Sequence, residues 1–346
     1  MAILIPAVLA GCRDSSIGTD VAGYGIRNFN YAHASSSFPQ YFDHYKYSIM
    51  AEPLYHLLVY ITSRFFDNYH WGLFGYNLLM VVFAYLGVHK YHKIMNTPIG
   101  VSMALYYLAL YNISLNIMRQ CIAVSIVFWA TSYLFEEKYA KFAVIVLLGV
   151  GFHSSAIMGF LFWPMYLFAG RAQGGKESGQ IIRGCLFLFT VLGVLFAGGR
   201  AVRFLVDAGI LRTNYLNYLS SGAYASHRVS PVSVGIYAGY FLIYMCHYRH
   251  LDKRKLYSLF FAIISFIMLI SMFGQMISVY ISRAGYYFMP LQMISFANIT
   301  NCYQAKSKQG WIFLIVLYSV IVWFIIFAYR GNHATVPYIF GPGSDR

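Results

Sequence analysis

Apolar runs of membrane-spanning length recur from the first dozen residues of this chain to its last thirty, with short connections between them. A helix needs about 20 mainly apolar residues to cross a bilayer. Such stretches lie near 1–12, 71–88, 98–115, 118–135, 140–153, 154–169, 183–198, 232–248, 256–275, 284–302 and 310–329. The pattern predicts an all-α polytopic membrane protein, with about eleven spans in one integral domain over 1–346. With 59% hydrophobic residues, 10% charged residues and a mean hydropathy of +0.58, the composition excludes a soluble domain of this length. A further segment, EPLYHLLVYITSRFF at 52–66, has charged ends and a mixed face, and reads as a helix that lies along the interface or re-enters the membrane.

The opening MAILIPAVLAGC ends in Leu-Ala-Gly-Cys, the pattern at which bacterial lipoproteins are cut and lipidated. Its context opposes an anchor at Cys12. No Lys or Arg precedes Arg13, and more apolar runs follow where a lipoprotein would carry a polar tether and a soluble domain. The five cysteines form no CxxC pair and read as free thiols used for packing.

Lysine-rich connections set the sidedness. HKYHK (89–93), EEKYAK (136–141), GRAQGGKES (170–178), RHLDKRK (249–255) and QAKSK (304–308) fall on every second connection, so they share one face. By the positive-inside rule that face is cytoplasmic. Two long segments then lie on the outer face: 13–70, with short amphipathic helices, and 199–231.

By this topology nine of the ten lysines are inside, whereas eleven of the fifteen arginines are outside. Guanidinium is always charged, and its fixed fork of donors matches phosphate oxygens. The bias therefore points to a phosphate-bearing ligand on the outer face. The alternative, side chains reaching for lipid headgroups, fits Arg64, Arg330 and Arg346. Arg119 and Arg283 differ, because each sits at the outer mouth of a span, in NISLNIMRQCIAV and VYISRAGYYFMP, where an unpaired cation is costly.

Other constellations weigh less. GRAQGGKES fits a GxxxxGK pattern, but Glu177 stands where a magnesium-binding Ser or Thr belongs and no strand precedes it, so it reads as a loop. His89 and His92 have no third metal ligand nearby and read as a solvated loop. His153, in GVGFHSSA, falls at the outer end of a short span; it is a candidate for a protein-lined cavity or a packed histidine satisfied by a carbonyl. Asp14 and Asp20, beside Arg13 and Arg27, are two of only eleven acidic residues. They are ion-paired loop residues, site carboxylates, or, for Asp20, the cap of a helix from Val21 to Phe29.

The order of motifs resembles the EpsG family: RDSSIGTDVAGYGIRNF, EPLYHLLVYI, NIMRQCIAVSIVFWATSYL with KYAKFAVIVLLGVGFHSSAIMG, then ISRAGYYFMP and a terminal VPYIF. The likeness runs from about residue 11 to 340, with Met-Arg-Gln and the Phe-His-Ser some thirty residues later as its most specific part. The family is similar to the Wzy-type polysaccharide polymerases of exopolysaccharide and O-antigen loci. The resemblance implies a GT-C-like bundle in the bacterial inner membrane, acting at its outer face as an inverting glycosyltransferase on undecaprenyl-pyrophosphate-linked repeats. It implies no nucleotide sugar, cofactor, metal or nucleic acid, and makes a chain-length regulator a candidate partner. Arg13, Arg119 and Arg283 are the expected diphosphate ligands, and Asp20 or His153 the base that takes the proton of the acceptor hydroxyl. Asp14, Tyr24, Gln120, Tyr286 and Tyr287 are expected as sugar-contacting or secondary residues. The rival functions are an O-antigen ligase, a flippase of lipid-linked sugars and, more remotely, a membrane acyltransferase.

Overall fold

The computed structural model describes residues 3–45, 52–172, 204, 207, 230–253, 257–273 and 283–341. Helices dominate these residues; the one extended pairing among them is an antiparallel bridge between Arg13 and Phe340. Two compact units divide the chain, Met1–Gly159 with Phe296–Arg346, and Phe160–Ser295.

The first unit is built around α8 (Met118–Thr131), in which every residue except Arg119 and Trp129 is buried. Against it pack α5 (His70–Met95) and α9 (Tyr139–Phe152), and α1 (Leu4–Gly11) lies on α5. Close crossing of α5 and α8 depends on Gly87, where a Cβ would stand 2.5 Å from the Phe128 ring. The helix α5 stops because Asn96 takes a left-handed cap (φ 55°), with its amide on His92 O at 2.8 Å, and Pro98 follows. The next span, expected over 98–115, is α6 (Ile99–Tyr106), a π-helical turn Tyr107–Tyr111 and the short α7 (Asn112–Asn116). Ile117 (φ −86°, ψ 60°) breaks the helix before α8 begins.

Several polar side chains inside this unit pair with one another, as an apolar interior favours. Asn77 donates to Ser114 Oγ at 2.9 Å and Thr97 to Asn298 Oδ1 at 2.8 Å. Asn112 accepts from Trp323 Nε1 at 2.7 Å and donates to Thr335 Oγ1 at 2.9 Å.

The 52–66 segment is α4 (Pro53–Phe65), packed on α2 (Arg27–Ala34), α3 (Phe38–Asp43), α5 and α9. Arg64 differs from its expected use at lipid headgroups. Its guanidinium donates to the end carbonyls of α2, Ala32 at 2.5 Å, His33 at 2.8 Å and Ser35 at 3.1 Å, so it serves as a cationic C-terminal cap.

The second unit contains α10 (Phe162–Ala172), α11 (Pro231–Lys253) and α12 (Ser258–Ser271), with α10 and α11 each against α12 and Phe162 edge-on to Phe288 at 5.0 Å. The chain re-enters the first unit at Phe296, within α13 (Met289–Ile299), and continues into α14 (Ala305–Trp323), which ends in a π-helical turn Phe324–Tyr329. The span expected at 183–198, the GxxxxGK-like loop beyond Ala172, and nearly all of the expected loop at 199–231 lie outside the described residues. So do Cys185, Arg200, Arg203, Arg212, Arg228 and Arg346.

Among the described residues three helical stretches are long and apolar enough to cross a membrane: His70–Met95, Met118–Glu136 and Lys306–Tyr329. Shorter apolar helices are Tyr139–Phe152, Ser154–Ala169 and Ser258–Ser271. At about 1.5 Å per residue, the 19 residues of Met118–Glu136 reach roughly 28 Å, the depth of a hydrocarbon core. The chain is an integral membrane protein.

Candidate active site

The two ends of the central bundle differ in chemistry. At the end where α5 finishes and α9 starts, Lys90 meets Glu136 at 2.5 Å, Lys138 meets the same carboxylate at 2.9 Å, and Lys90 covers the Tyr133 ring. These groups come from the HKYHK and EEKYAK connections. At the opposite end, where α8 starts and α9 finishes, stand Arg119 and His153.

Glu52 joins those two. One carboxylate oxygen receives Arg119 Nη1, the other receives His153 Nδ1, and the Ser154 amide approaches the second oxygen at 3.4 Å. The side chain of Glu52 is 6% exposed, while those of Arg119 and His153 are 29% and 26% exposed, so the carboxylate forms the floor and the two bases face outward. Glu52 holds a left-handed backbone (φ 48°, ψ 57°) immediately before Pro53, a conformation that costs of order 1–3 kcal/mol for such a residue. His153 is extended (φ −155°, ψ 123°), ending α9 before a 3-10 turn, Ser154–Leu161. Tyr24, 46% exposed, and the buried Tyr55 face the Arg119 guanidinium at 4.8 and 5.3 Å from their ring centres, a cation held between aromatic faces.

Burial works to raise the proton affinity of Glu52. The hydrogen bond from His153 and the charge of Arg119 outweigh it and hold the carboxyl below its ordinary range. An ionised carboxylate only accepts, so Nδ1 of His153 must carry the hydrogen and, in the neutral ring, Nε2 carries the lone pair. Arg119 also lies in the first turn of α8, whose N-terminus has no side-chain cap, and a cation at that end adds to the positive potential of the helix. Such a mouth favours an anionic ligand.

One turn along α4, His56 is buried, accepts or donates to Tyr41 Oη at 2.8 Å, and stacks on Tyr45 at 3.9 Å. Burial, reinforced by Arg119 and opposed by Glu52, lowers its pKa to about 4. The unfolded chain takes this proton from pH 6.5 downward and the folded chain refuses it until about 4, so stability falls as pH drops through that window. Thermal unfolding in detergent should lose about 2 kcal/mol between pH 7.5 and 5 from this group, and His56→Gln should flatten that slope. An equal slope in both proteins would contradict it.

The other expected residues are placed as follows. Arg13 is wholly buried on Met118, donating Nη2 to its sulfur at 3.3 Å, in a gap smaller than a water molecule lined by Leu73, Tyr76, Asn77, Met80 and Ser114. Its Nε and Nη1 have no partner, and burial lowers its pKa to about 10. A closing segment covers this region: Asp14 N bonds Ile339 O at 3.0 Å and Gly341 N bonds Cys12 O at 3.2 Å. Asp14 turns onto its own Ser16 amide at 2.8 Å, which holds its carboxyl low. Asp20 stands where a π-helical turn, Val21–Ile26, opens toward α2, but its side chain makes no capping bond; its amide donates to Asn116 Oδ1 at 2.9 Å. Gln120 is buried in the first turn of α8. Arg283, Tyr286 and the buried Tyr287 belong to the second unit, around the 3-10 turn Gly285–Tyr287. No three His, Cys, Asp or Glu side chains converge as metal ligands among the described residues.

Sequence reasoning brought Arg119, His153 and Tyr24 forward and passed over Glu52. Its signal was a solitary acid before proline at the head of an apolar segment, in a chain with few acids. A profile of the EpsG family matches residues 1–340. The chain belongs to the EpsG family. This is a Wzy-type polysaccharide polymerase family, so the protein is a glycosyltransferase-type polymerase acting on lipid-linked glycans in the membrane. Neither the curated proteins nor the solved structures gave a match.

Proposed function

We propose that this EpsG-family protein polymerises undecaprenyl-pyrophosphate-linked oligosaccharide repeats at the outer face of the bacterial inner membrane, by inverting transfer within a GT-C-like bundle. The observation that carries the reading is the meeting of Arg119 and His153 over one buried carboxylate, at the end of the bundle opposite the lysines. By the positive-inside rule the lysine end reads as cytoplasmic, which supports a site on the outer face.

In the reaction, a hydroxyl of the incoming lipid-linked repeat attacks the anomeric carbon of the growing chain. The bond from that carbon to the diphosphate oxygen breaks, with inversion, and His153 Nε2 takes the hydroxyl proton. Charge grows on the departing lipid diphosphate, and the Arg119 guanidinium, beside the α8 N-terminus, stabilises it more in the transition state than in the ground state. Arg13, wholly buried in this structure, and Arg283, in the second unit, are the further cations proposed for the diphosphate. Asp20 is the alternative base, Tyr24 offers a sugar-stacking face beside Arg119, and Asp14, Gln120, Tyr286 and Tyr287 are secondary contacts.

Deleting the gene in its host and separating the surface glycan on a gel tests the assignment. The expected result is collapse of the ladder to a single repeat. Long lipid-linked polymer that accumulates without transfer would identify a ligase instead.

A further inference from the structure

With Nδ1 on Glu52, the partly exposed His153 ring leaves Nε2 for a substrate, but an imidazole has two tautomers and rotates about its side-chain bonds unless something fixes both. In this structure one group does. Glu52 comes from a part of the chain a hundred residues away, is buried, and places one oxygen on His153 Nδ1. Its other oxygen is occupied by Arg119, and the Ser154 amide closes on the first. With both oxygens committed beneath the two partly exposed side chains, Glu52 is poorly placed to meet a substrate hydroxyl itself. Its left-handed backbone ahead of Pro53 aims the side chain inward.

We propose that Glu52 is a positioning residue of the transfer site, which fixes His153 as the Nδ1–H tautomer and balances the charge the ring gains when it takes the acceptor proton. This rests on the reading of the site as a glycosyl-transfer centre. When the acceptor oxygen bonds to the anomeric carbon and the diphosphate leaves, the hydroxyl proton goes to Nε2 and stays on the imidazole. No proton passes to Glu52; its negative charge simply faces the new imidazolium across Nδ1–H. Arg119 contributes by keeping Glu52 ionised and still.

The test uses the full-length protein in lipid vesicles with lipid-linked repeats from its host, reading kcat, KM and product ladder. Glu52→Gln should lower kcat by about 10²-fold or more, the lower end of what a well-placed base supplies. Glu52→Asp, which keeps a carboxylate, should recover part of that loss. The decisive comparison is a cycle with His153→Ala. If Glu52 acts through His153, adding Glu52→Gln to His153→Ala should reduce kcat by no more than about threefold further. Losses that multiply, or a Glu52→Gln protein within about threefold of the parent, would overturn the proposal. Should Glu52→Gln elute aggregated, the same cycle run with Glu52→Asp decides by the same rule. A parent protein that makes no polymer while transferring a finished chain would instead overturn the polymerase reading and leave Glu52 to be judged on the transfer it does catalyse.

Discussion

Cells carrying Arg119→Ala should insert the protein at normal levels yet display single repeats with no ladder above them. Removing a fixed donor aimed at developing charge costs about 10²- to 10³-fold in turnover where such donors have been removed one at a time, and a ladder needs many such turnovers. The structural cost is smaller. Glu52 loses the cation on one of its oxygens, and truncating one side of a buried pair costs roughly 3–5 kcal/mol; Arg119 is 29% exposed and the His153 ring still donates to the other oxygen, so about 3 kcal/mol is the upper bound. Arg119→Lys separates charge from shape, because it keeps the cation and loses the fork. An intermediate ladder is expected. Immunoblotting of membranes beside the glycan gel checks both, and a full ladder from Arg119→Ala would remove this residue from the site.

Arg13→Met should make the protein more stable and less active. A wholly buried guanidinium that donates to a thioether and leaves Nε and Nη1 unpartnered carries a large desolvation cost with little return. Replacing buried charge by an apolar side chain of similar volume is neutral or stabilising by about 1–4 kcal/mol, which moves a melting point by several degrees in a chain of this size. Arg13 therefore raises the free energy of the folded state, and a diphosphate that reached its guanidinium would offset the cost. A melting curve in detergent and the glycan gel read the two effects separately. A destabilised variant would mean the guanidinium has an internal role in the fold, and a stable variant with a full ladder would take Arg13 out of the diphosphate site.

The helices were legible in the hydropathy because burial in lipid and burial in protein both select apolar side chains. Their ends were less so. The apolar run 71–88 belongs to a helix reaching Met95, since HKYHK continues the helix beyond the hydrocarbon depth until Asn96 and Pro98 stop it. The break at Ile117, which separates α7 from α8 and exposes the N-terminus beside Arg119, leaves no mark in hydropathy, as Ser114 to Met118 read as one turn among others. Arg64 looked like a headgroup contact because its partners, the last carbonyls of α2, lie some thirty residues earlier. Within the site, the cations announced themselves by sitting in costly positions at span mouths. Glu52 did not, because its position is a surface loop in sequence and a floor only after α4, α8 and α9 have met. Arg13 was legible as a cation and not as a buried one, since the side chains around its guanidinium, from Leu73 to Met118, are brought there only by the packing of α5 and α8.

The tie between residues 12–14 and 339–341 fixes the order in which the nascent protein can be finished. The first unit has to wait while the ribosome makes Phe160–Ser295, and at about 5–20 residues per second those 136 residues take roughly 7–27 s. During that interval the Asp14 amide and the Cys12 carbonyl lack the partners that Ile339 and Gly341 later supply.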